Sequence, residues 1–276
     1  MIRYSSQITP DTKVKDLQGF KIVSPAKQER DKAFYENERK KHKEKGFVMV
    51  DRDNIIYANK ELSLSQAGLM MFLVSFMKFN EEGKLFHKGE RLTVTNIAKL
   101  VGKSPKQTRR TIDELEALGF VAREKVGRKV YLNVTPALMV CGYTDSERKR
   151  VKVYKERLRG LSKKLSLNEL GLLIFMLGHL HWKSHVLCAN PDENETSNVV
   201  LWKRRDVIEA LGVSKDFIYK TLNKFLQLKI TVEVKSVNEG IVLHPSLVSR
   251  QETRPTFDEI LHVINESLTK ENYKKH

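Results

Sequence analysis

Cysteine is scarce in this chain, with only Cys141 and Cys188 among 276 residues. Two cysteines cannot build the disulfide framework of a small secreted domain, and their scarcity fits a reducing compartment. Long apolar runs are also missing, because the longest, 69–74 and 172–177, fall far below the roughly 18 residues of a membrane span. The first residues lack the apolar core of a signal peptide. We therefore expect a soluble cytoplasmic protein without a membrane segment.

The motifs of common catalytic sites are absent as well. The sequence contains no GxxxxGK[ST] phosphate loop, no GxSxG elbow and no HExxH motif. One cluster, His179, His181, His185 and Cys188, has residue types that bind zinc, but its spacing matches no common zinc pattern. We interpret these residues as surface and half-buried side chains at a helix end. We expect neither an enzyme nor a metal or other cofactor.

The chain has a large excess of positively charged residues. The chain has 50 Lys and Arg against 34 Asp and Glu, a formal net charge of +16 and a sequence pI near 9.7. Such an excess favours a polyanionic partner. Double-stranded DNA is the leading candidate, because binding to an anionic membrane would also call for an amphipathic anchor.

The stretch SPKQTRRTIDELEALGFV, residues 104–121, predicts a helix with a cationic face. Ser104 is a suitable N-cap, Pro105 fits the first helical position, and Gly119 can end the helix with a positive φ. Apolar residues recur at helical spacing on one side. The opposite side carries Lys106, Gln107, Arg109, Arg110 and Asp113.

The surroundings of this helix predict a winged helix. A shorter helix over 97–101 ends at Gly102, so the pair has the pattern of a helix-turn-helix. Two β-branched runs, 121–126 and 129–134, follow around Gly127 and predict a hairpin. The alternative is an ordinary helical hairpin with a solvated basic face, but the added hairpin favours helix-turn-helix plus wing. The cationic residues at the tip of the wing are Lys125, Arg128 and Lys129.

The pattern occurs twice. LSLSQAGL at 62–69 matches LSLNELGL at 165–172 with an offset of 103, and LVGKS at 100–104 matches ALGVS at 210–214 with an offset of 110. We place the seven additional residues in the polar loop 190–198. At the larger offset the apolar positions and the N-cap coincide. The sequence therefore predicts two winged helices in tandem.

The predicted fold is mainly α with small β-hairpin wings, an α+β protein. A further hairpin is predicted over 47–57, with its turn near 51–54. The predicted parts are a flexible basic N-terminal arm (1–45), a first winged-helix domain (46–142), a basic linker helix (143–164), a second winged-helix domain (165–250), and a C-terminal helix with a tail (251–276).

Two amphipathic helices flank the second domain. The linker is basic, and its helical spacing predicts an apolar stripe that packs on a domain or on a second copy, with the basic face along DNA. That stripe consists of Val151, Tyr154, Leu158 and Leu161. The C-terminal stripe forms a homodimer interface or packs on its own domain. It consists of Phe257, Ile260, Leu261, Ile264 and Leu268.

Each predicted DNA contact follows from side-chain chemistry. Arg109 and Arg110 can pair with guanine and Gln107 with adenine, whereas Lys106 and the wing tip neutralise phosphates. In the second domain the predicted contacts are Lys215, Phe217, Tyr219, Lys220, Asn223 and Lys224. In the linker they are Arg148, Lys149 and Arg150.

The first domain, over 62–138, resembles winged helices of plasmid and phage proteins. Its opening, LSLSQAGLMMFL, resembles phage replisome organisers, and KVYLNVTPALM with DSERKR is similar to the end of RepL-type plasmid replication proteins. The resemblance implies DNA binding and replication initiation. We predict a sequence-specific transcriptional regulator of phage or plasmid type. The alternatives are a replication initiator, an adaptor that binds other proteins, and an enzyme acting on nucleic acid.

Overall fold

The computed structural model describes residues 25–27, 29, 30, 46–143, 149–232 and 240–267. The chain forms two units, Met1–Lys43 and Glu44–His276. In the first unit, the described residues are helical. The rest of the predicted arm lies outside the described residues. The second unit is an α+β structure that contains both sequence repeats.

The first repeat combines four helices with short strands. Their order is β1 (Phe47–Asp51), α1 (Arg52–Glu61), α2 (Leu64–Val74), β2 (Phe86–His87), β3 (Glu90–Arg91), α3 (Val94–Val101), α4 (Pro105–Ala117), β4 (Val121–Val126), β5 (Lys129–Val134) and β6 (Met139–Val140). The predicted helix at 104–121 and the predicted hairpin after it are therefore confirmed.

The second repeat has a corresponding order. It consists of β7 (Arg150–Tyr154), α5 (Lys155–Ser162), α6 (Leu167–Leu177), a 3-10 turn (Thr196–Asn198), α7 (Arg204–Leu211), α8 (Lys215–Gln227), β8 (Thr231–Val232), β9 (Val242–Leu243) and β10 (Val248–Ser249), followed by the C-terminal helix α9 (Phe257–Ser267). Residues 233–239 lie between β8 and β9, where the second predicted winged helix has its wing, and they are outside the described residues.

The repeated LSLS and LSLN segments are helix-start signals. The Ser63 hydroxyl accepts a hydrogen bond from the amide of Gln66, whose side chain accepts one from the Ser63 amide. Ser166 and Glu169 form the same capping box at the start of α6. Each box pairs backbone amides that the first turn of a helix leaves without partners. The sequence repeat therefore specifies equivalent starts for α2 and α6.

A four-stranded antiparallel sheet joins the two repeats, in the order β10-β7-β1-β6. At its centre β1 pairs with β7, and Met49 lies opposite Lys152. Both strands alternate half-buried with buried residues before a buried final residue. After their polar first turns, helices α2 and α6 are apolar on all sides and pack against each other in the core, as such helices must.

Two glycines allow α2 and α6 to touch. A Cβ atom on Gly68 would lie 1.7 Å from the carbonyl oxygen of Leu167, and one on Gly171 would lie 2.0 Å from that of Leu64. Real Cβ atoms do not approach other atoms so closely, so any larger residue would push the helices apart. Gly68 and Gly171 are equivalent in the repeat, so both copies contribute the same feature to the crossing.

Two sequence predictions about strands and helices are wrong. The predicted hairpin at 47–57 is strand β1 followed by helix α1, because Asp51 accepts a hydrogen bond from the Asn54 amide and caps a helix. In the described part of the predicted linker, the helix spans only Lys155–Ser162, since 150–154 form strand β7. Val151 and Val153 are buried on one side of this strand, so their spacing has the period of a strand.

The C-terminal helix packs on its own chain. Ile260 and Ile264 are fully buried in a small cluster with Val186, Cys188 and Val242. The structure therefore assigns these stripe residues to the second repeat and not to a homodimer interface. Leu158 of the predicted linker stripe is likewise buried in the main core. Within the described ranges, no helix has the length and apolar character needed to cross a membrane.

Candidate nucleic-acid interface

Helix α4 has one buried face and one exposed face. Thr108, Ile112 and Leu115 are buried, as the apolar spacing predicted. The Ser104 hydroxyl accepts a hydrogen bond of 3.2 Å from the amide of Gln107, which fixes the start of the helix. The polar residues exposed on its first two turns are Lys106, Gln107, Arg109 and Arg110.

The acidic residues of α4 have partners inside the same repeat. Glu114 pairs with Arg110 at 3.0 Å and also accepts a hydrogen bond of 2.9 Å from Gln66 of α2. Asp113 and Glu116 both form ion pairs with Arg123 on β4. The acidic charge therefore lies on the second half of the helix and is neutralised there. The first half is cationic and exposed.

The wing is a regular hairpin tied to the helices. Strands β4 and β5 pair from Val121–Val134 to Val126–Lys129, and Gly127 takes a φ of +60° at the turn. Gly127 permits this tight turn because it has no Cβ. The tip residues are all exposed: Lys125, Arg128 and Lys129.

An ion pair at the base of the wing neutralises its acidic residue. Arg91 on β3 binds Glu124 through two hydrogen bonds of 2.7 and 3.1 Å and lies over the Tyr131 ring at 4.5 Å. Hydrogen bonds from Arg91 and Asn133 lower the pKa of Glu124 to about 2. The carboxylate is therefore directed to the base of the hairpin, and the tip keeps its positive charge.

Helix α8 repeats this arrangement with different side chains. The Ser214 hydroxyl accepts a hydrogen bond of 3.3 Å from the Phe217 amide, as Ser104 does in the first repeat. The ring of Tyr219 lies 5.0 Å from the Arg204 guanidinium and 5.6 Å from the Lys215 ammonium. The predicted contact residues that are exposed on this helix are Lys215, Tyr219, Lys220 and Asn223.

Two predicted contacts of α8 have structural roles instead. The Lys224 ammonium binds both carboxylate oxygens of Glu169, at 2.8 and 2.9 Å. Burial would raise the pKa of Glu169, but the hydrogen bonds from Lys224 and Ser166 lower it. Phe217 is half-buried and packs against the core. Both side chains connect α8 to its own protein, so they are removed from the candidate surface.

The linker cations also differ from the prediction. The Lys149 ammonium lies 2.5 Å from Asp192. Arg150 is half-buried on β7, in the strand that replaces the predicted helix. Arg148 lies outside the described residues. Neither Lys149 nor Arg150 therefore lies on a free basic helix face.

Asp192 holds the polar loop of the second repeat against the first. Besides Lys149, its carboxylate binds Arg52 and Arg250, each at 2.5 Å. Burial disfavours the charged form, but the hydrogen bonds from Lys149, Arg250 and Arg52 lower the pKa of Asp192 below its usual range. Arg52 and Arg250 are themselves largely buried, so this ion cluster connects the interior of both repeats.

The histidine segment is more buried than predicted. His179 stacks on Trp202 with 3.5 Å between ring centroids, and His181 is buried with hydrogen-bond contacts of 2.8 Å to Ser184 and to the Glu193 carbonyl. His185 is also buried and has a positive φ of 58°. Among the described residues, no three His, Cys, Asp or Glu side chains are grouped so that they could hold a metal ion.

Sequence reasoning missed two exposed lysines beside the helix-turn-helix. Lys99 lies in the last turn of α3, and Lys103 lies in the turn between α3 and α4. Gly102 ends α3 in the left-handed conformation, with a φ of +71°, and so leads the chain directly into this turn. The position of Lys103, between the glycine and the N-cap Ser104, is the signal that could have identified it.

The candidate interface of the first repeat therefore consists of the exposed half of α4, the turn before it and the wing tip. Arg123 ties the wing to α4 through Asp113 and Glu116, so the hairpin lies beside the helix. No protein-family model, curated protein or solved structure matches the chain. The assignment of a function therefore depends on the chemistry of these residues.

Proposed function

We propose that this chain is a tandem winged-helix protein that binds specific sites in double-stranded DNA and acts as a transcriptional regulator of phage or plasmid type. The observation that carries the proposal is the charge distribution on α4. Its first two turns expose cations, whereas Asp113, Glu114 and Glu116 are all paired within the repeat. A helix-turn-helix reads bases with the N-terminal residues of its second helix, which is where these cations lie.

The exposed residues divide into two chemical groups. Arg109 and Arg110 carry planar guanidinium groups that can donate two hydrogen bonds to one guanine, and Gln107 can pair with adenine. Lys106 and the wing tip are suited to phosphate, which any sequence presents. In this proposal α4 determines the sequence specificity, and the wing adds electrostatic attraction to the phosphates that does not depend on sequence.

The Arg109→Ala variant is expected to bind the selected site more weakly by about 1–3 kcal/mol, the usual contribution of one bidentate base contact. Arg109→Lys is the matched control, since it keeps the charge but loses the planar fork. We expect Arg109→Lys to keep its affinity for random duplex and to lose about 1–3 kcal/mol of its preference for the selected site. Fluorescence anisotropy with both duplexes measures the two affinities.

Two results would count against base reading by Arg109. If Arg109→Lys kept full preference for the selected site, Arg109 would act through charge alone. If the wild type selected no sequence from a random pool, the specific-regulator proposal would be wrong. Where a selected sequence exists, its position at promoters supports transcriptional control, and its confinement to a replication origin would overturn that role.

Replacing the wing-tip residues Lys125, Arg128 and Lys129 with alanine should mainly alter the salt dependence of binding. Each lost phosphate contact is expected to reduce the slope of log K against log salt concentration by about 0.9. The selected sequence should stay the same, because these side chains do not read bases. The measurement is a set of binding titrations at several salt concentrations.

Lys224→Met provides the control for the wing experiment. It also removes one positive charge, but the Lys224 ammonium is already paired with the Glu169 carboxylate. We expect the salt slope of Lys224→Met to equal that of the wild type. A slope reduced as much by Lys224→Met as by a single wing substitution would mean that net charge, and not the wing, determines binding.

A further inference from the structure

The two repeats are related by a local two-fold axis that passes through the central sheet. Met49 on β1 pairs with Lys152 on β7, its own equivalent at the offset of 103. The pair Phe47–Tyr154 corresponds to the pair Asp51–Arg150 when the repeats are exchanged. When two antiparallel strands are paired so that equivalent residues lie opposite each other, a two-fold axis passes between those residues, perpendicular to the sheet.

The outer strands follow the same axis. Met139 of β6 pairs with Val50 of β1, and Val248 of β10 pairs with Val153 of β7. Val50 and Val153 are equivalent at the offset of 103. In the sheet order β10-β7-β1-β6, exchanging the two repeats therefore exchanges β1 with β7 and β6 with β10.

The helices above the sheet obey this symmetry as well. Gly68 meets the Leu167 carbonyl and Gly171 meets the Leu64 carbonyl, which are reciprocal contacts under the exchange of repeats. Helix α1 packs on α6, and the equivalent helix α5 packs on α2. Sheet and helices thus give independent support for one axis.

A two-fold axis inside one chain has the geometry of an isologous dimer. Ser104 and Ser214 cap α4 and α8 in the same way, and both helices bury one face in their own repeat. Two-fold symmetric helix-turn-helix proteins read half-sites of inverted orientation, because the axis also reverses the DNA strands.

We propose that the DNA target is an inverted pair of two different half-sites on one duplex, one read by α4 and the other by α8. This inference rests on the proposed function. The half-sites differ because the equivalent exposed residues differ: Arg109 corresponds to Tyr219, and Asp113 corresponds to Asn223. Arginine pairs with guanine, whereas asparagine pairs with adenine, so the second half-site is the one poorer in guanine.

A variant with two matching reading faces tests this geometry. Asp216→Lys/Tyr219→Arg/Lys220→Arg/Asn223→Asp places in α8 the residues that α4 has at four equivalent exposed positions. All four positions are exposed, so the core remains unchanged. Selection from a random duplex pool should give an inverted pair of unlike half-sites for the wild type. For the variant it should give a palindrome of the α4 half-site.

Synthetic duplexes then measure orientation and spacing. The variant should bind the palindrome about 100-fold or more tightly than a direct repeat of the same half-sites, since a reversed half-site mismatches several base pairs. The spacing between half-site centres is varied around one helical turn, about 10 base pairs. The reciprocal variant Lys106→Asp/Arg109→Tyr/Arg110→Lys/Asp113→Asn should select a palindrome of the other half-site.

The outcomes separate this inference from the proposed function. A direct repeat selected by the variant would overturn the two-fold geometry, although sequence-specific binding would stand. Single half-sites, with two duplexes bound by each protein, would overturn the placement of both half-sites on one duplex. Absence of any enriched sequence with the wild type would overturn the proposed function and this inference together.

Discussion

The Gly68→Ala variant is expected to lose about 3 kcal/mol or more of its free energy of unfolding. Overpacking a core costs about 1–3 kcal/mol when side chains can adjust. Here the added methyl group would lie 1.7 Å from the Leu167 carbonyl oxygen, a backbone atom that moves only with helix α6. Gly171→Ala should behave similarly against Leu64. Urea unfolding followed by circular dichroism measures both variants.

Gly160→Ala is the matched control, because Gly160 also lies within a helix but has open space where its Cβ would be. Alanine is a better helix former than glycine, so this variant is expected to gain up to about 1 kcal/mol. If Gly68→Ala unfolded at the urea concentration of the wild type, α2 and α6 would not cross at these glycines. The helical support for the local two-fold axis would then be lost.

Lowering the pH from 7 to 5 is expected to destabilise the second repeat. Burial lowers the pKa of His185 to about 4 and that of His179 to about 4, and it also lowers the pKa of His181. In an unfolded chain a histidine titrates near 6.5, so the unfolded state binds more protons between about pH 6.5 and 4. Stability is therefore complete above this window and falls as the pH decreases through it.

His185 alone should contribute about 2 kcal/mol of this loss between pH 7 and 5, at about 1.4 kcal/mol per unit of pKa difference. The Nδ1 atom of His185 lies 3.3 Å from the Leu243 carbonyl, and its Nε2 atom is buried without a hydrogen-bond partner among the described residues. A protonated ring would thus place a charge in the core with little compensation.

His185→Asn tests the assignment, because asparagine tolerates the positive φ of this position better than most residues do. We expect the variant to be less stable at pH 7 but to lose about 2 kcal/mol less than the wild type on going to pH 5. The exposed His262 on α9 gives the control variant His262→Asn, which should show the wild-type decrease. An unchanged decrease in His185→Asn would assign the pH dependence to other groups.

Features encoded by neighbouring residues were predictable from the sequence. Ser104 predicts the start of a helix, Gly102 predicts the end of one and Gly127 predicts a turn. Each prediction uses only residues close by in the sequence, and the structure has all three features. The segment DRDN at 51–54 was misread because turns and helix caps favour the same residues. A helix is distinguished from a turn here only by the packing of the residues that follow, such as the fully buried Ile55 and Ala58.

The errors in the candidate site have another cause. Lys224 and Lys149 resemble free cations in the sequence, but their partners Glu169 and Asp192 are 55 and 43 residues away. No local pattern reveals an ion pair between such distant residues. The exposed side of α4 was predictable because its buried side follows the helical period.

The shared sheet also determines how the protein responds to dilution. A dimer built from two separate chains dissociates at low concentration, and its stability depends on the concentration of the protomer. Here β1 and β7 belong to one polypeptide, so the two halves stay together at any concentration. If the proposed function holds, occupancy of the DNA target should therefore rise with the first power of protein concentration. In the same proposal, one half can change its DNA-reading residues by mutation while the other half keeps its own, which a homodimer cannot do.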